Sequence, residues 1–280
     1  MENVLNVLTS IAVLAVVAVG LYIILGLMQV INMAHGDIVM LGAYSVFVLT
    51  QAGLHFWVAA VIATCIAGIA GGLIEIVVVR NLYKSGNLAT MLATWGVGIV
   101  IQQAIKLTFG PQGQFVDVPM TSMISVFGVE YPSYRMMILF ISTIILAAIF
   151  VVLQKTRAGL LVRATMDRTD MAEAMGIHTK RVYSYGFVAG SALAGLAGAL
   201  ISPIVSISPL MGIDYVTKSF LVVMTGGFES MVSTIGGAAI IGGLQNGFSY
   251  YMDTTKSWMI VLIIVIVIIW IRPQGVFSKK

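Results

Sequence analysis

Charge is scarce in this chain. Only 9% of its 280 residues are Asp, Glu, Lys or Arg, whereas soluble domains carry about 25%. Apolar residues make up 59%, and the mean hydropathy is +1.03. A chain with so few polar groups cannot cover a surface that faces water, so its solvent must be lipid. Cysteine is scarcer still. Cys65 stands alone, which excludes a disulfide-stapled secreted scaffold. The composition is equally wrong for a disordered chain. The net charge of +4 is too small for a protein that reads nucleic acid through a basic face.

The familiar chemical signatures are missing as well. There is no G-x-x-x-x-G-K-[ST] phosphate loop, so no nucleotide is bound that way. H-E-x-x-H, C-x-x-C and G-x-S-x-G are all absent, and with them the commonest metal, redox and nucleophile-elbow arrangements. His35, His55 and His178 fall in three separate segments, which argues against a metal cluster. The chain is therefore expected not to be an enzyme and to hold no metal or cofactor of its own.

Long apolar runs are what it does have. A bilayer core of about 30 Å needs about 20 mostly apolar residues per helix. Residues 4–27 qualify without a single charge, and they make a poor signal peptide, because Met1-Glu2-Asn3 lacks Lys and Arg. Further candidates are 38–51, 56–79, 88–105, 135–153, 183–201, 235–250 and 257–271. The apolar run 220–224 is too short to span. Between Lys218 and the Gly226-Gly227 pair, it reads as part of a broken or re-entrant helix. The expected fold is an all-α integral membrane protein, a polytopic helical bundle of about eight transmembrane helices with broken or re-entrant segments. Residues 1–280 are read as a single transmembrane domain. Interrupted segments at 32–37 and from 212 to 227 also leave an inverted repeat open.

Basic residues concentrate in three places: Arg80 and Lys84; Lys155, Arg157, Arg163, Arg168, Lys180 and Arg181; and Arg272, Lys279 and Lys280. By the positive-inside rule these segments are cytoplasmic. The loop 106–133 and the N-terminus are then expected outside.

Two polar regions stand out. Residues 32–37 place Asn32, His35 and Asp37 beside Gly36 directly after an uninterrupted span. Intramembrane polar groups are costly and usually face a pathway or a partner. The plainer reading is a turn between helices with Asp37 as the N-cap of the next span. Glu75 is a second such group, and it is expected to pair with Arg80 or Lys84 at the interface. The basic loop 154–182 reads as helical from 160 to 175, with Gly176 ending the helix. Leu160, Leu161, Met171, Met175 and Ile177 are interleaved with its charges. A passive connector does not need them, and a partner subunit or the lipid surface would receive them. Small residues crowd 190–199 and 236–243, which suits close helix packing within the bundle or at a dimer interface. The seventeen methionines read as adaptable packing.

At this point the residues resemble a known family. Ile31-Asn32-Met33-Ala34-His35-Gly36-Asp37 followed by Gly42-Ala43-Tyr44 is similar to the signature of the membrane permease subunits of branched-chain amino acid ABC importers. Thr156-Arg157-Ala158-Gly159, Arg163-Ala164 and Met175-Gly176-Ile177 match where that family has its cytoplasmic coupling loop. Phe109-Gly110-Pro111, Gly226-Gly227, Gly236-Gly237 and Arg272-Pro273-Gln274-Gly275 follow in the expected order. The resemblance implies a pore-forming subunit in the bacterial cytoplasmic (inner) membrane, paired with a similar permease or with itself. It also implies cytoplasmic ATPase subunits that bind ATP and Mg, and an extracytoplasmic solute-binding protein. The loop 154–182 would be the coupling element, with a helix at about 167–176 seated in the ATPase.

Leu82-Tyr83, Leu92-Ala93-Thr94-Trp95-Gly96, Gln102-Gln103 and the stretch from Pro209 to Phe220 look more like the urea and short-chain amide permeases of this superfamily. Met166-Asp167-Arg168 departs from the urea-type coupling loop, which bears on docking more than on solute. The expected solute is urea or a short-chain amide, with branched-chain amino acids close behind. Pathway candidates are Asn32, His35, Asp37, Trp95 and Asp214. ATPase-contact candidates are Arg163, Asp167, Glu173, Met175 and Gly176. Two other classes compete. An aquaporin-like channel would use Asn32-Met33-Ala34 as a half-helix box but needs a second box, which is absent. A proton- or sodium-coupled transporter needs an intramembrane carboxylate, for which Glu75 is the clear candidate.

Overall fold

The computed structural model describes residues 2–83, 86–126 and 128–277. In chain order the helices are α1 (Glu2–Met28), α2 (His35–Gln51), α3 (Phe56–Ile74), α4 (Arg80–Leu82), α5 (Asn87–Phe109), α6 (Ser133–Lys155), α7 (Arg157–Asp167), α8 (Thr169–Ala174), α9 (Thr179–Ile201), α10 (Met211–Gly226), α11 (Met231–Ser249) and α12 (Thr254–Ile271). A π-helical turn, Glu75–Val79, joins α3 to α4, so that Phe56–Leu82 forms one rod.

Each expected apolar segment is helical. Six helices are long and apolar enough to cross a membrane by themselves, and α10 with α11 passes the same test as a pair bent by 117°. With the bent pair taken as one span the count is seven, and α2, at 17 residues, falls just short of the same length, so the total is roughly consistent with the expected eight. The break expected near Gly226-Gly227 falls between α10 and α11. There Ser230 caps the new helix by accepting from the Ser233 N–H at 3.1 Å, and the Ser230 N–H is returned to the Ser233 hydroxyl. One element was not expected. Within the 106–133 loop, β1 (Met123–Val126) and β2 (Val129–Pro132) form an antiparallel hairpin, with Ile124 opposite Tyr131.

Packing divides the chain into two units. The first comprises Met1–Val19, Asp117–Leu146 and Thr217–Lys280. In it the start of α1 meets the hairpin: the Tyr131 hydroxyl lies 3.2 Å from Thr9 Oγ1 and donates to Asn6 Oδ1 at 3.1 Å, and Arg135 donates to the same oxygen. At the break the chain folds back on itself. The Val276 N–H donates to the Thr225 carbonyl at 2.8 Å, and the Phe277 ring lies against Gly236.

The second unit comprises Gly20–Val116 and Ala147–Val216. Its centre is α9, on which α2 and α3 both pack. The small residues of α9 make this possible. Gly190 meets the backbone of Gly20, Gly195 meets Gly42 and Ala67, and Gly198 sits on the Val39 carbonyl. A Cβ at Gly198 or Gly42 would collide with the opposing backbone. The crowded segment 190–199 is therefore bundle packing, the first of the two roles that its composition allowed.

Replacing Gly198 by Leu is expected to cost about 1–3 kcal/mol or more, the usual penalty for overpacking, and to lower the thermal unfolding midpoint of the detergent-solubilised protein. A Cβ at Gly243 has nothing within 4 Å, so Gly243→Ala is expected to leave that midpoint unchanged.

Candidate functional site

α1 ends where Gln29 takes a left-handed conformation (φ 53°), which is uncommon for a residue with a Cβ. The chain then runs irregularly to α2. Within this interruption Asn32 Oδ1 accepts the Ala34 N–H at 3.1 Å, and the Met33 N–H donates to Thr94 Oγ1 of α5 at 3.1 Å. The Asn32 turn supplies the local partner, and α2 consequently starts at His35 with Ala34 as its N-cap residue. This corrects the expectation that Asp37 is the N-cap. Asp37 lies inside the first turn, and its carboxylate reaches across to α5, where Gln102 Nε2 donates to Oδ1 at 2.8 Å.

Asp37 is 4% exposed, Asn32 2% and His35 fully buried. The Asp37 carboxylate is walled by glycines: a Cβ at Gly98 would strike Oδ2, and one at Gly212 would lie 2.6 Å from Oδ1. The Asn32 amide nitrogen is buried without a hydrogen-bond partner among the described residues. Gly98 is the middle residue of the 23-residue α5, so this cluster lies near the midpoint of that span. The two interrupted segments read from the sequence also meet here. Gly36, at the start of α2, touches Gly212, at the start of α10, backbone to backbone. Helix N-termini converging near the middle of a membrane are a recurring build for solute sites.

The structure thus brings Asn32, His35 and Asp37 together, while Trp95 (58% exposed) and Asp214 (exposed) stand outside these contacts. Thr94, Gly98 and Gln102 were missed as site residues. Their signal was nevertheless in the sequence: with Thr90 they repeat every four residues along α5, one helical face. Thr90, Thr94 and Gly98 are buried, whereas the apolar Leu88, Leu92, Ile99 and Leu107 are exposed.

A second region lies at the basic loop 154–182. The single helix expected over 160–175 is two helices, α7 and α8, because Arg168 is extended (φ −148°, ψ 98°) and breaks the run. α8 covers only 169–174 of the helix expected at about 167–176. It ends as expected at Gly176, whose φ of 83° suits glycine. The Gly176 N–H returns to the Glu173 carbonyl at 2.9 Å and the Ile177 N–H to that of Ala172 at 3.0 Å, a Schellman closure. Glu173 also accepts from the Thr179 hydroxyl at 2.5 Å. Arg163, Asp167, Glu173, Met175 and Gly176 are all exposed, as are Leu160, Leu161 and Met171.

Glu75, fully buried, pairs with Arg80 at 2.9 Å, as expected; Lys84, the other candidate partner, lies outside the described residues. Tyr83 also donates to Glu75, at 2.5 Å. Burial first, and this hydrogen bond second, push the Tyr83 phenol well above its ordinary range, so that it remains a donor. Among the described residues, no group of three or more His, Cys, Asp or Glu is placed to hold a metal ion.

A many-helix membrane bundle whose interrupted helices meet around buried polar side chains has the build of a transport permease. The chain belongs to the family described as branched-chain amino acid transport system permease component, which matches residues 3–270. It is 26% identical to the high-affinity branched-chain amino acid transport system permease protein LivH of Escherichia coli (strain K12), across the whole chain and 96% of that relative. The corresponding permease protein BraD of Pseudomonas aeruginosa is 24% identical, again over the whole chain and 96% of the relative. The ribose import permease protein RbsC of Haemophilus influenzae is 24% identical over the whole chain and 87% of its length. No solved structure matches the chain.

If the Asp37 cluster lines the transport route, Gly98→Ala should displace the carboxylate and lower solute uptake about tenfold at an unchanged amount of protein in the membrane, roughly 1.4 kcal/mol. Gly96→Ala, on an open face of the same helix, should transport normally. Equal uptake by both variants would remove Asp37 from the route.

Proposed function

We propose that this chain is the pore-forming permease subunit of an ATP-binding-cassette importer, driven by ATP hydrolysis in a separate cytoplasmic subunit. The observation that carries the reading is the apolar character of an otherwise basic loop. Met171 is 58% exposed, Met175 71% and Leu160 59%, on or directly after two short helices that carry Arg157 and Arg163 and are followed by Lys180 and Arg181. Exposed methionines and leucines among charges suit a groove on a soluble partner, and family membership makes a motor subunit the natural occupant. Arg163, Asp167, Glu173, Met175 and Gly176 would form the contact. In this reading 154–182 is a coupling loop within one permease domain.

Topology supports the same assignment. A bend of 117° turns α11 back against the direction of α10. If that pair contributes no net crossing, α1, α2, the Phe56–Leu82 rod, α5, α6, α9 and α12 make an odd number of crossings. The N-terminus is then outside, while the basic loops and the C-terminus are cytoplasmic, in accord with the positive-inside rule. The membrane is the bacterial cytoplasmic membrane. A second permease subunit and an extracytoplasmic binding protein complete the complex.

For the solute, Asn32, His35 and Asp37 with Thr94 and Gln102 form the inner site, and Trp95 and Asp214, exposed and outside that cluster, are the remaining pathway candidates. An amide meets Asp37, not a cation. A carboxylate with spare lone pairs beside an unpartnered amide N–H suits a small neutral molecule with several N–H donors and one carbonyl acceptor. Urea or a short-chain amide fits that pattern. The relatives named for branched-chain amino acid transport keep leucine, isoleucine and valine close behind. The secondary-transporter reading loses its coupling group, because Glu75 is held by Arg80 and Tyr83.

The test is ATP hydrolysis by the complex reconstituted with its P-loop subunit and binding protein, challenged with urea, acetamide, leucine and valine. Stimulation by urea or acetamide alone is expected. Stimulation by leucine or valine would keep the importer and overturn the solute class, and failure to copurify any P-loop subunit would overturn the importer itself.

A further inference from the structure

The buried polar group at the end of the Phe56–Leu82 rod takes no part in the solute site, yet it is densely bonded. Glu75 opens the π-helical turn and is fully buried. Arg80 reaches it twice, from Nε at 3.2 Å and Nη2 at 2.9 Å, and Nη2 also donates to Ser184 Oγ of α9 at 2.9 Å. The Tyr83 hydroxyl donates to Glu75 Oε1. The Tyr83 ring stands edge-on to Tyr183 of α9, centroids 5.4 Å apart at 74°. The Tyr183 hydroxyl in turn lies 3.3 Å from Thr169 Oγ1, the first residue of α8.

We infer that Glu75, Arg80 and Tyr83 form a latch that positions α8 for its motor subunit by tying it, through Tyr183, to the seam between α3 and α9. Three features make the contact more than local decoration. π-Helical turns inside α-helices are rare and concentrate at functional positions. This one begins three residues after Gly72, which with Gly71 packs on Val188 and Ser191 of α9. Second, a carboxylate buried in a membrane bundle is costly unless fully paired, and this one receives donors from both Arg80 and Tyr83. Third, both ends of the latch converge on α9, by Ser184 and by Tyr183. A shift of α8 therefore cannot occur without moving α9 or breaking the Tyr183–Thr169 contact. α9 also carries Gly195 and Gly198, which bear on α2 at Gly42 and at Val39, the latter two residues from Asp37. The latch thus joins the coupling loop to the helix that packs on both α3 and α2. Glu75 and Tyr83 are positioning residues, acting on the motor contact through Tyr183 and α8.

This inference rests on the coupling-loop reading, so its test has one arm independent of any motor. Tyr83→Phe removes the hydroxyl and keeps the ring against Tyr183, and Glu75→Gln keeps the shape and one acceptor. In the purified permease, hydrogen–deuterium exchange of amides 169–177 is expected to rise about tenfold in Tyr83→Phe. Adding Tyr183→Phe should increase it little further, as required of groups in one chain of contacts. In the reconstituted complex, ATP hydrolysed per urea or leucine taken up is expected to rise several-fold in Tyr83→Phe and Glu75→Gln at unchanged copurification of the P-loop subunit. Tyr185→Phe, on an exposed face of α9, should match the wild type in both arms. Unchanged exchange overturns the latch, and raised exchange with an unchanged ATP-to-solute ratio overturns its role in positioning. If the wild-type chain copurifies no P-loop subunit, the importer reading fails and the latch loses its coupling role with it.

Discussion

Helices in lipid gain nothing from the hydrophobic effect when they meet, because the surrounding chains are as apolar as they are. Association must come from close backbone approach. In the second unit that constraint falls on α9, whose glycines at 190, 195 and 198 admit the backbones of α1, α2 and α3. Both buried carboxylates depend on it for their positions. Asp37 faces α5 because α2 is seated on Gly195 and Gly198. Glu75 can be closed over by Arg80 and Tyr83 because Gly71 and Gly72 bring α3 down onto Ser191 and Val188. A bulkier α9 would leave both carboxylates exposed to hydrocarbon, where an unpaired charge is costly.

The same solvent inverts the usual sense of inside and outside. In α5 the buried stripe is Thr90, Thr94 and Gly98, while leucine, isoleucine and tryptophan face outward. As a soluble helix, it would be turned the wrong way round. As a membrane span beside a buried polar cluster, its pattern is what the energetics require: apolar groups meet lipid at no cost, and hydroxyl and amide groups find partners inside. α7 and α8 show the opposite sign. Their exposed Leu160, Leu161, Met171 and Met175 belong to a segment whose charges keep it out of the lipid core, and apolar groups facing water call for a cover.

How much of this could be read from the sequence depended on the length scale of the signal. Spans were legible because little besides a membrane crossing calls for apolar runs of about 20 residues. The broken helix was legible because Gly226-Gly227 interrupts an apolar stretch. The hairpin at Met123–Pro132 was not, since two four-residue strands carry no periodicity that outweighs a loop. The division of α7 from α8 was hidden for a related reason. Leu160, Leu161, Met171 and Met175 keep a plausible helical rhythm across Arg168, and one extended residue leaves no trace in that rhythm. At the site, the 32–37 segment announced itself through the cost of placing polar groups beside a span. Its partner Gln102 did not, because a half-buried glutamine reveals its role only once the facing helix is known. The Thr90–Thr94–Gly98–Gln102 stripe was present throughout, but counting hydropathy along a span averages it away.

The two buried carboxylates show how a structure separates roles that a sequence leaves equivalent. Asp37 and Glu75 are both acidic, both nearly inaccessible and both set beside glycines that let another helix close over them. Their partners differ. Glu75 has a guanidinium and a phenol, so its charge is neutralised and its acceptors are occupied, which suits a fixed joint. Asp37 has one amide and the backbone of Gly212 against it, so it keeps acceptor capacity at a point where two helix starts touch without a side chain between them. A contact between two glycine backbones separates more easily than an ion pair, since no salt bridge has to be broken. Motion in such a bundle should therefore open at Gly36 and Gly212 and not at Glu75. If Asp37 lines the route as proposed, the solute would meet it there while the Glu75 joint stays closed.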